Sequence, residues 1–306
     1  MEQQEIRSKF PVFSQNKRLV YLDNAATSQK PEGVIDRVRQ FYLSENSNIH
    51  RGNYPLSSRA SEYYAHSKQT VSHWIDARTP EEIVYAKSST EAINLVAAGM
   101  DGLTGPENNI VTTELEHSSN YFPWKELCRR TGAQFRVAEA EEDGSLKTEK
   151  LLKLIDCHTK LVAVTGMSNA GGFCPDLKKI ISEAHNKGAL VLVDATQLIV
   201  HRMISVRELD CDFLSFSSHK IYGPMGLGVL YGKQSCLELI PPLLYGGDMV
   251  LRGDGDQIIY KSNTEKFEGG TQNIGGALGL EAAIEFLQEN EFEALLEHEK
   301  ALAAYT

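Results

Sequence analysis

Asp212-Phe-Leu-Ser-Phe-Ser-Ser-His-Lys-Ile-Tyr-Gly-Pro224 is the stretch on which the fold turns. Phe213, Leu214 and Phe216 form a short apolar run that reads as a buried strand, broken at Ser217-Ser218. His219 and Lys220 then fall in a turn, and Gly223-Pro224 keeps the chain from continuing as a regular element. An ammonium directly after a buried strand is costly unless it is paired or neutralised. A neutral amine in that place suits Schiff-base formation with a carbonyl compound. On this segment alone a surface lysine at a strand end is the better fit, so the decision rests on what stands upstream.

Working outward, apolar β-rich runs recur at 83–86, 109–113, 134–138, 161–166, 190–193, 213–216 and 228–231. Helix-like segments fill most gaps, at 90–98, 121–130, 148–155 and 176–186. The last carries Leu177, Ile180, Ile181 and Ala184 in helical phase, with Gly188 as its stop. Such alternation implies a mainly parallel sheet covered by helices on both faces, an α/β fold. The connection from Phe216 to Gly228 is marginal for a crossover helix, so the last strand should run antiparallel. A mixed, mostly parallel seven-stranded sheet is expected. Ahead of it stand an N-terminal arm over 1–20, a helix after Pro31-Glu32 and a long helix over 57–75. The large α/β domain spans 21–274, and 275–306 reads as a helix leading into a C-terminal small domain that is not present.

Composition narrows the function classes. With 306 residues, 42% hydrophobic and 24% charged, the chain is an ordinary globular protein able to bury a large core. Its 31 basic and 41 acidic residues give a formal charge of −10, which argues against nucleic acid or an anionic membrane as partner. Five cysteines (Cys128, Cys157, Cys174, Cys211 and Cys236) without a C-x-x-C pair suggest neither a disulfide framework nor a metal site. There is no bilayer-length apolar run and no leader-like start, so a cytoplasmic location is expected.

In open α/β sheets ligands sit at the carboxyl ends of the parallel strands. Four such ends carry suggestive residues. Ser88 and Glu91 have capping-box spacing, and Ser89 and Thr90 bring hydroxyls to a helix N-terminus able to bind phosphate, although most such patterns merely cap helices. His117 could lie on an aromatic ring and exchange protons, or be a polar loop histidine. Asp194 ends the run Leu190-Val-Leu-Val193, where a carboxylate wants a cation; a protonated pyridine nitrogen would serve, and Gln197 could donate to a ring hydroxyl. At about 4 Å and an effective dielectric of about 20, such a pair is worth about 4 kcal/mol. An Asp ending a parallel strand is also common in nucleotide-binding folds. Ser217 and His219 add two further phosphate ligands beside Lys220. Singly each signal is weak; in this order, all at strand ends, they point to pyridoxal 5'-phosphate. Neither G-x-G-x-x-G nor a P-loop occurs.

With those residues in view, the chain resembles the class V aminotransferase group of fold-type I pyridoxal-phosphate enzymes, most nearly the group II (SufS-type) cysteine desulfurases and selenocysteine lyases. The matching segments are Tyr21-Leu-Asp-Asn-Ala-Ala-Thr27, Asn48-Ile-His-Arg-Gly52, Ser89-Thr-Glu-Ala-Ile-Asn-Leu-Val96, Glu116-His117, Ser168-Asn169, Asp194-Ala-Thr-Gln197, 217–224 and Phe267-Glu-Gly-Gly-Thr-Gln-Asn273. The resemblance implies that Lys220 holds the cofactor, His117 stacks on its ring, Asp194 pairs with the pyridine nitrogen and Gln197 faces the ring hydroxyl. It implies phosphate ligands in Ser89, Thr90, Ser217 and His219, with Thr271 reaching across from a second subunit of a homodimer. Asn169, His50, Arg51 and Ala26 fall on the substrate side. The implied reaction removes sulfur from L-cysteine as a persulfide and releases L-alanine, for sulfur transfer or iron-sulfur cluster assembly, with a sulfur-acceptor protein as partner. The family's nucleophilic cysteine and carboxylate-binding arginine lie in the small domain, and none of the five cysteines matches that position. Another class V activity, or a non-catalytic scaffold of the same fold, therefore stays open.

Overall fold

The structure, a computed structural model, describes residues 3–49, 52–254, 257–261 and 263–305. Two short helices, α1 (Gln3–Ser8) and α2 (Pro11–Gln15), precede α3 (Glu32–Gln40) and the long α4 (Pro55–Trp74). The alternating part runs β1 (Ile83–Ala86), α5 (Ser89–Gly99), β2 (Asn109–Thr113), α6 (Phe122–Thr131), β3 (Gln134–Ala138), α7 (Thr148–Leu152) and β4 (Thr159–Thr165). It continues through α8 (Leu177–Asn186), β5 (Leu190–Asp194), α9 (Val206–Leu209), β6 (Phe213–Ser217), β7 (Gly228–Gly232) and α10 (Gln234–Leu239). A hairpin of β8 (Val250–Asp254) and β9 (Gln257–Tyr260) leads to α11 (Ile274–Glu289) and α12 (Phe292–Tyr305).

The seven main strands lie in the order β1-β7-β6-β5-β4-β2-β3. β3, β2, β4, β5 and β6 pair in parallel, while β7 is antiparallel to both of its neighbours, as the short connection after Ser217 requires. β1 therefore points the same way as the parallel set. The carboxyl ends of β1, β2, β4, β5 and β6 all open on one edge of the sheet, and the site is built there.

Alternation along each strand sends side chains to opposite faces. Val111, Val162, Val191, Val193, Leu214 and Phe216 pack in one buried layer with α4, α8 and α11 residues such as Val71, Ile181 and Leu280. Ile110, Leu161, Ala163, Leu192, Phe213 and Leu230 pack in the other with Ile93 and Val96 of α5 and Trp124 and Leu127 of α6. Burial on both faces is why these strands read as continuous apolar runs.

The strand boundaries agree with expectation to within two residues, β4 starting earlier, at Thr159, because Thr159 Oγ1 donates to Asn109 Oδ1 at 2.8 Å and joins β2. α7 stops at Leu152 rather than 155; Leu154 and Ile155 N–H bond three residues back, to Leu151 and Leu152, and the turn tightens. The β8–β9 hairpin was not anticipated, because Leu251, Ile258 and Ile259 are exposed and follow no alternation. Among the described residues no helix is long and apolar enough to cross a membrane.

Candidate active site

Asp194 occupies the last rung of β5, opposite Thr165 of β4 and Ser215 of β6. Four apolar residues carry the chain through the core, and the carboxylate emerges buried at the sheet edge. Its Oδ1 accepts Thr196 N–H at 3.0 Å, Thr196 Oγ1 at 2.5 Å and Ser89 Oγ at 3.5 Å. Loss of water pushes its pKa above the usual carboxylate range, against the pull of the Thr196 bonds and of His117 nearby. A buried acid so placed favours a cationic partner.

β1 delivers Ser88 as the N-cap of α5. Ser88 Oγ accepts Glu91 N–H at 3.3 Å, and Glu91 Oε2 accepts Lys87 N–H at 2.5 Å, one residue beyond the N-cap N–H that a standard capping box engages. The N–H of Ser89 donates to Ser217 Oγ at 2.8 Å. That bond ties the helix start to the turn that bears Lys220.

After β2, His117 Nδ1 accepts Ser119 N–H at 3.2 Å, which places the proton of the neutral ring on Nε2. Ser119 Oγ lies 3.0 Å from Nδ1 and 2.7 Å from Thr90 Oγ1, linking the imidazole to α5. Below it Glu116 is gripped by Thr113 Oγ1 at 2.7 Å, Thr165 N–H at 2.9 Å and Asn120 Nδ2 at 2.6 Å. Trp124 Nε1, wholly buried, donates to Asn120 Oδ1 at 3.0 Å and completes the support. Desolvation pushes the Glu116 pKa up to about 8 despite those donors.

Lys220 Nζ donates to the carbonyls of Ala25 and, at 2.8 Å, Ala26, so the N-terminal loop lies directly against the amine. Desolvation lowers the Lys220 pKa, with Asp194 and Asp23 pulling it back up. His219 Nδ1 is 3.1 Å from Thr27 Oγ1, and desolvation followed by the charges of Lys220 and Lys30 holds its pKa below the usual value. Gln197, expected to face a ring hydroxyl, spends its amide on Ala25 O at 2.9 Å.

A cavity of about 570 Å³ brings Ala26, Ser89, Thr90, His117, Asn169, Asp194, Gln197, Ser217, His219 and Lys220 together. Thr271 is not among its walls: it lines two other cavities of the same chain, one beside Tyr64 and Glu268 and one beside Tyr42 and Asn48. His50 and Arg51 lie outside the described residues. None of the five cysteines lines the cavity; Cys128, Cys211 and Cys236 are buried, and burial raises the pKa of each. Sequence reasoning missed Thr196, Ser119 and the support given by Glu116. Of these, Thr196 carried a signal, since a hydroxyl two residues beyond a buried acid can reach it.

The donor set fits a phosphorylated pyridine aldehyde: an amine, a buried acid, an imidazole and a hydroxyl-lined helix start share one cavity. The chain belongs to the class V aminotransferase family, whose model, Aminotransferase class-V, matches residues 20–306. Its mixed seven-stranded sheet is that of the fold-type I pyridoxal-phosphate enzymes. Within the family the chain is similar to cysteine desulfurases. That of Synechococcus elongatus is 40% identical over 305 residues, covering 98% of this chain and 49% of the relative. That of Enterobacter sp. is 41% identical over 307 residues, covering 99% and 76%. The apo structure of cysteine desulfurase from Thermococcus onnurineus NA1 superposes with a TM-score of 0.94 at 34% identity, over all of this chain and 76% of that one. Escherichia coli cysteine desulfurase CsdA gives 0.88 at 36% identity, over 95% and 73%. The chain thus spans about half the length of some of its curated relatives and three quarters of others.

Proposed function

We propose that this protein is a pyridoxal-phosphate-dependent cysteine desulfurase that converts L-cysteine to L-alanine and passes the sulfur to an acceptor thiol. The observation that carries it is the meeting of Lys220, Asp194 and His117 in one cavity, on a chain about 40% identical to cysteine desulfurases. Bound there, the cofactor supplies an electron sink for the carbon that bears the substrate amine.

The chain's own residues do the rest. Lys220 would hold the cofactor aldehyde and, once the substrate amine has taken its place there, its freed Nζ, with a pKa lowered by desolvation, would accept the proton from the substrate Cα. Asp194 would pair with the pyridine nitrogen and favour its protonated form, and Gln197, with one amide N–H on Ala25 O, would turn the other to the ring hydroxyl. Ser89, Thr90, Ser217 and His219 would bind the phosphate, the first two from the start of α5. His117 would stack on the ring and serve as the proton carrier for the substrate thiol. Asn169 and Ala26, both walls of the cavity, would lie on the substrate side. The sulfur balance is cysteine plus a thiol giving alanine plus a persulfide, and the acceptor thiol is not one of the cavity walls.

We also place Thr271 of a second subunit at the phosphate, in a homodimer, with a separate protein receiving the sulfur. A cytoplasmic setting suits the five free cysteines and the acidic charge. The test is turnover: the purified protein with pyridoxal phosphate, L-cysteine and a thiol should form alanine and sulfide in equal amounts. Turnover of a different amino acid would assign another class V activity; colour without any turnover would leave a scaffold.

A further inference from the structure

The carbonyl of His219, the residue before Lys220, is gripped by four donors from one short segment. They are Ser28 N–H at 3.1 Å, Ser28 Oγ at 3.0 Å, Thr27 Oγ1 at 3.3 Å and Lys30 Nζ at 3.1 Å. A carbonyl oxygen has two lone pairs, so this one is saturated. Lys30 Nζ also donates to Ser28 O at 2.5 Å, and Ser28 Oγ accepts Tyr222 N–H at 2.9 Å on the far side of Lys220. The turn is held before and after the reactive amine by residues about 190 positions upstream. Lys30 is the charged member of the clasp. It is half-buried, its pKa is lowered to about 8 by desolvation, and it remains mostly cationic at pH 7.

We infer that Lys30 is a positioning residue for the cofactor site: its ammonium clasps the His219 carbonyl and so fixes the turn that presents His219 and Lys220. Lys30 is not a cavity wall and acts only through those neighbours. The inference deepens the proposed function and rests on it for the identity of the ligand. The groups acting on His219 are the Lys30 and Lys220 cations and the Thr27 hydroxyl, while Asp194 and Asp23 face Lys220.

The experiment compares wild type, Lys30→Met and Lys30→Arg by two measurements. Histidine-labelled, cofactor-free protein is titrated by NMR, the His219 signal being assigned by its loss in His219→Asn. Pyridoxal phosphate affinity is then measured by visible absorption. Lys30→Met should raise the His219 midpoint towards the ordinary imidazole value and weaken pyridoxal phosphate about 3-fold or more, because the loosened turn must then be ordered when the ligand binds. Lys30→Arg, which keeps the cation, should hold the midpoint and regain most of the affinity. A His219 midpoint unchanged in Lys30→Met, or an Arg variant as impaired as the Met variant in both readouts, overturns the inference. If wild type binds no pyridoxal phosphate, the proposed function fails, and the His219 titration alone then decides whether the clasp exists. Should Lys30→Met not fold, Lys30→Gln replaces it under the same criteria.

Discussion

Ser217 Oγ accepts the backbone N–H of Ser89 at 2.8 Å, and so the end of β6 is bonded to the first residue of α5. Ser89 Oγ in turn lies 3.1 Å from Ser215 Oγ and 2.9 Å from Thr196 Oγ1, which joins β5 to the same point. Three strand ends far apart in sequence are joined by small hydroxyls, which link Asp194 and the start of α5 to the strand end that leads to Lys220. Networks of this kind couple their members, so disturbing one should be felt at the others.

Gly228 tests that network from behind. A Cβ there would lie 2.2 Å from the Ser88 carbonyl carbon and 2.5 Å from Ser88 Cα, both backbone atoms that cannot rotate aside. Gly228→Ala should displace the start of α5, weaken pyridoxal phosphate by at least about 10-fold and lower the melting temperature by several degrees, as overpacking does. Cofactor titration and thermal melts check both.

Asp194→Asn should separate stability from function. Burial raises the Asp194 pKa, so the ionised acid is unfavourable in the cofactor-free fold as pH rises through that value. The amide removes that cost, and the cofactor-free variant should melt a few degrees higher than wild type at pH 8. Cysteine turnover should fall by about 1,000-fold if the proposed pyridinium pairing is worth about 4 kcal/mol. A variant less stable than wild type and still active would count against the role of this acid.

Glu116 should leave its mark on the pH dependence of stability. Its pKa is pushed up to about 8, above the unfolded value of about 4.3. The stabilisation tied to its protonated form is complete below the unfolded value and is lost as pH rises through about 8. Urea unfolding from pH 6 to 9 should show wild type losing more stability than Glu116→Gln. Parallel profiles would show that the carboxyl is ionised throughout.

Much of this was readable from the residues. The parallel strands announce themselves because burial on both faces makes them apolar throughout, and Asp194, His117 and Lys220 stand out as polar groups where such runs end. The antiparallel direction of β7 follows from the shortness of 218–227 and from its Gly223, Pro224 and Gly226, which leave no room for a crossover helix. What stayed hidden depends on contacts between distant segments. Lys30 meets the His219 carbonyl across 189 positions, and nothing near Lys30 announces it. Ser119 and Glu116 act through neighbours whose placement only the folded sheet decides. The β8–β9 hairpin escaped because its apolar residues face outward and give no alternation.

The most direct measurement is to incubate the protein with pyridoxal phosphate, reduce with borohydride, digest, and locate the modified lysine by mass spectrometry. The account predicts a single phosphopyridoxyl group on Lys220, abolished in Lys220→Ala and diminished in Asp194→Asn. Modification of another lysine in its place, or none on protein that is folded, would contradict it.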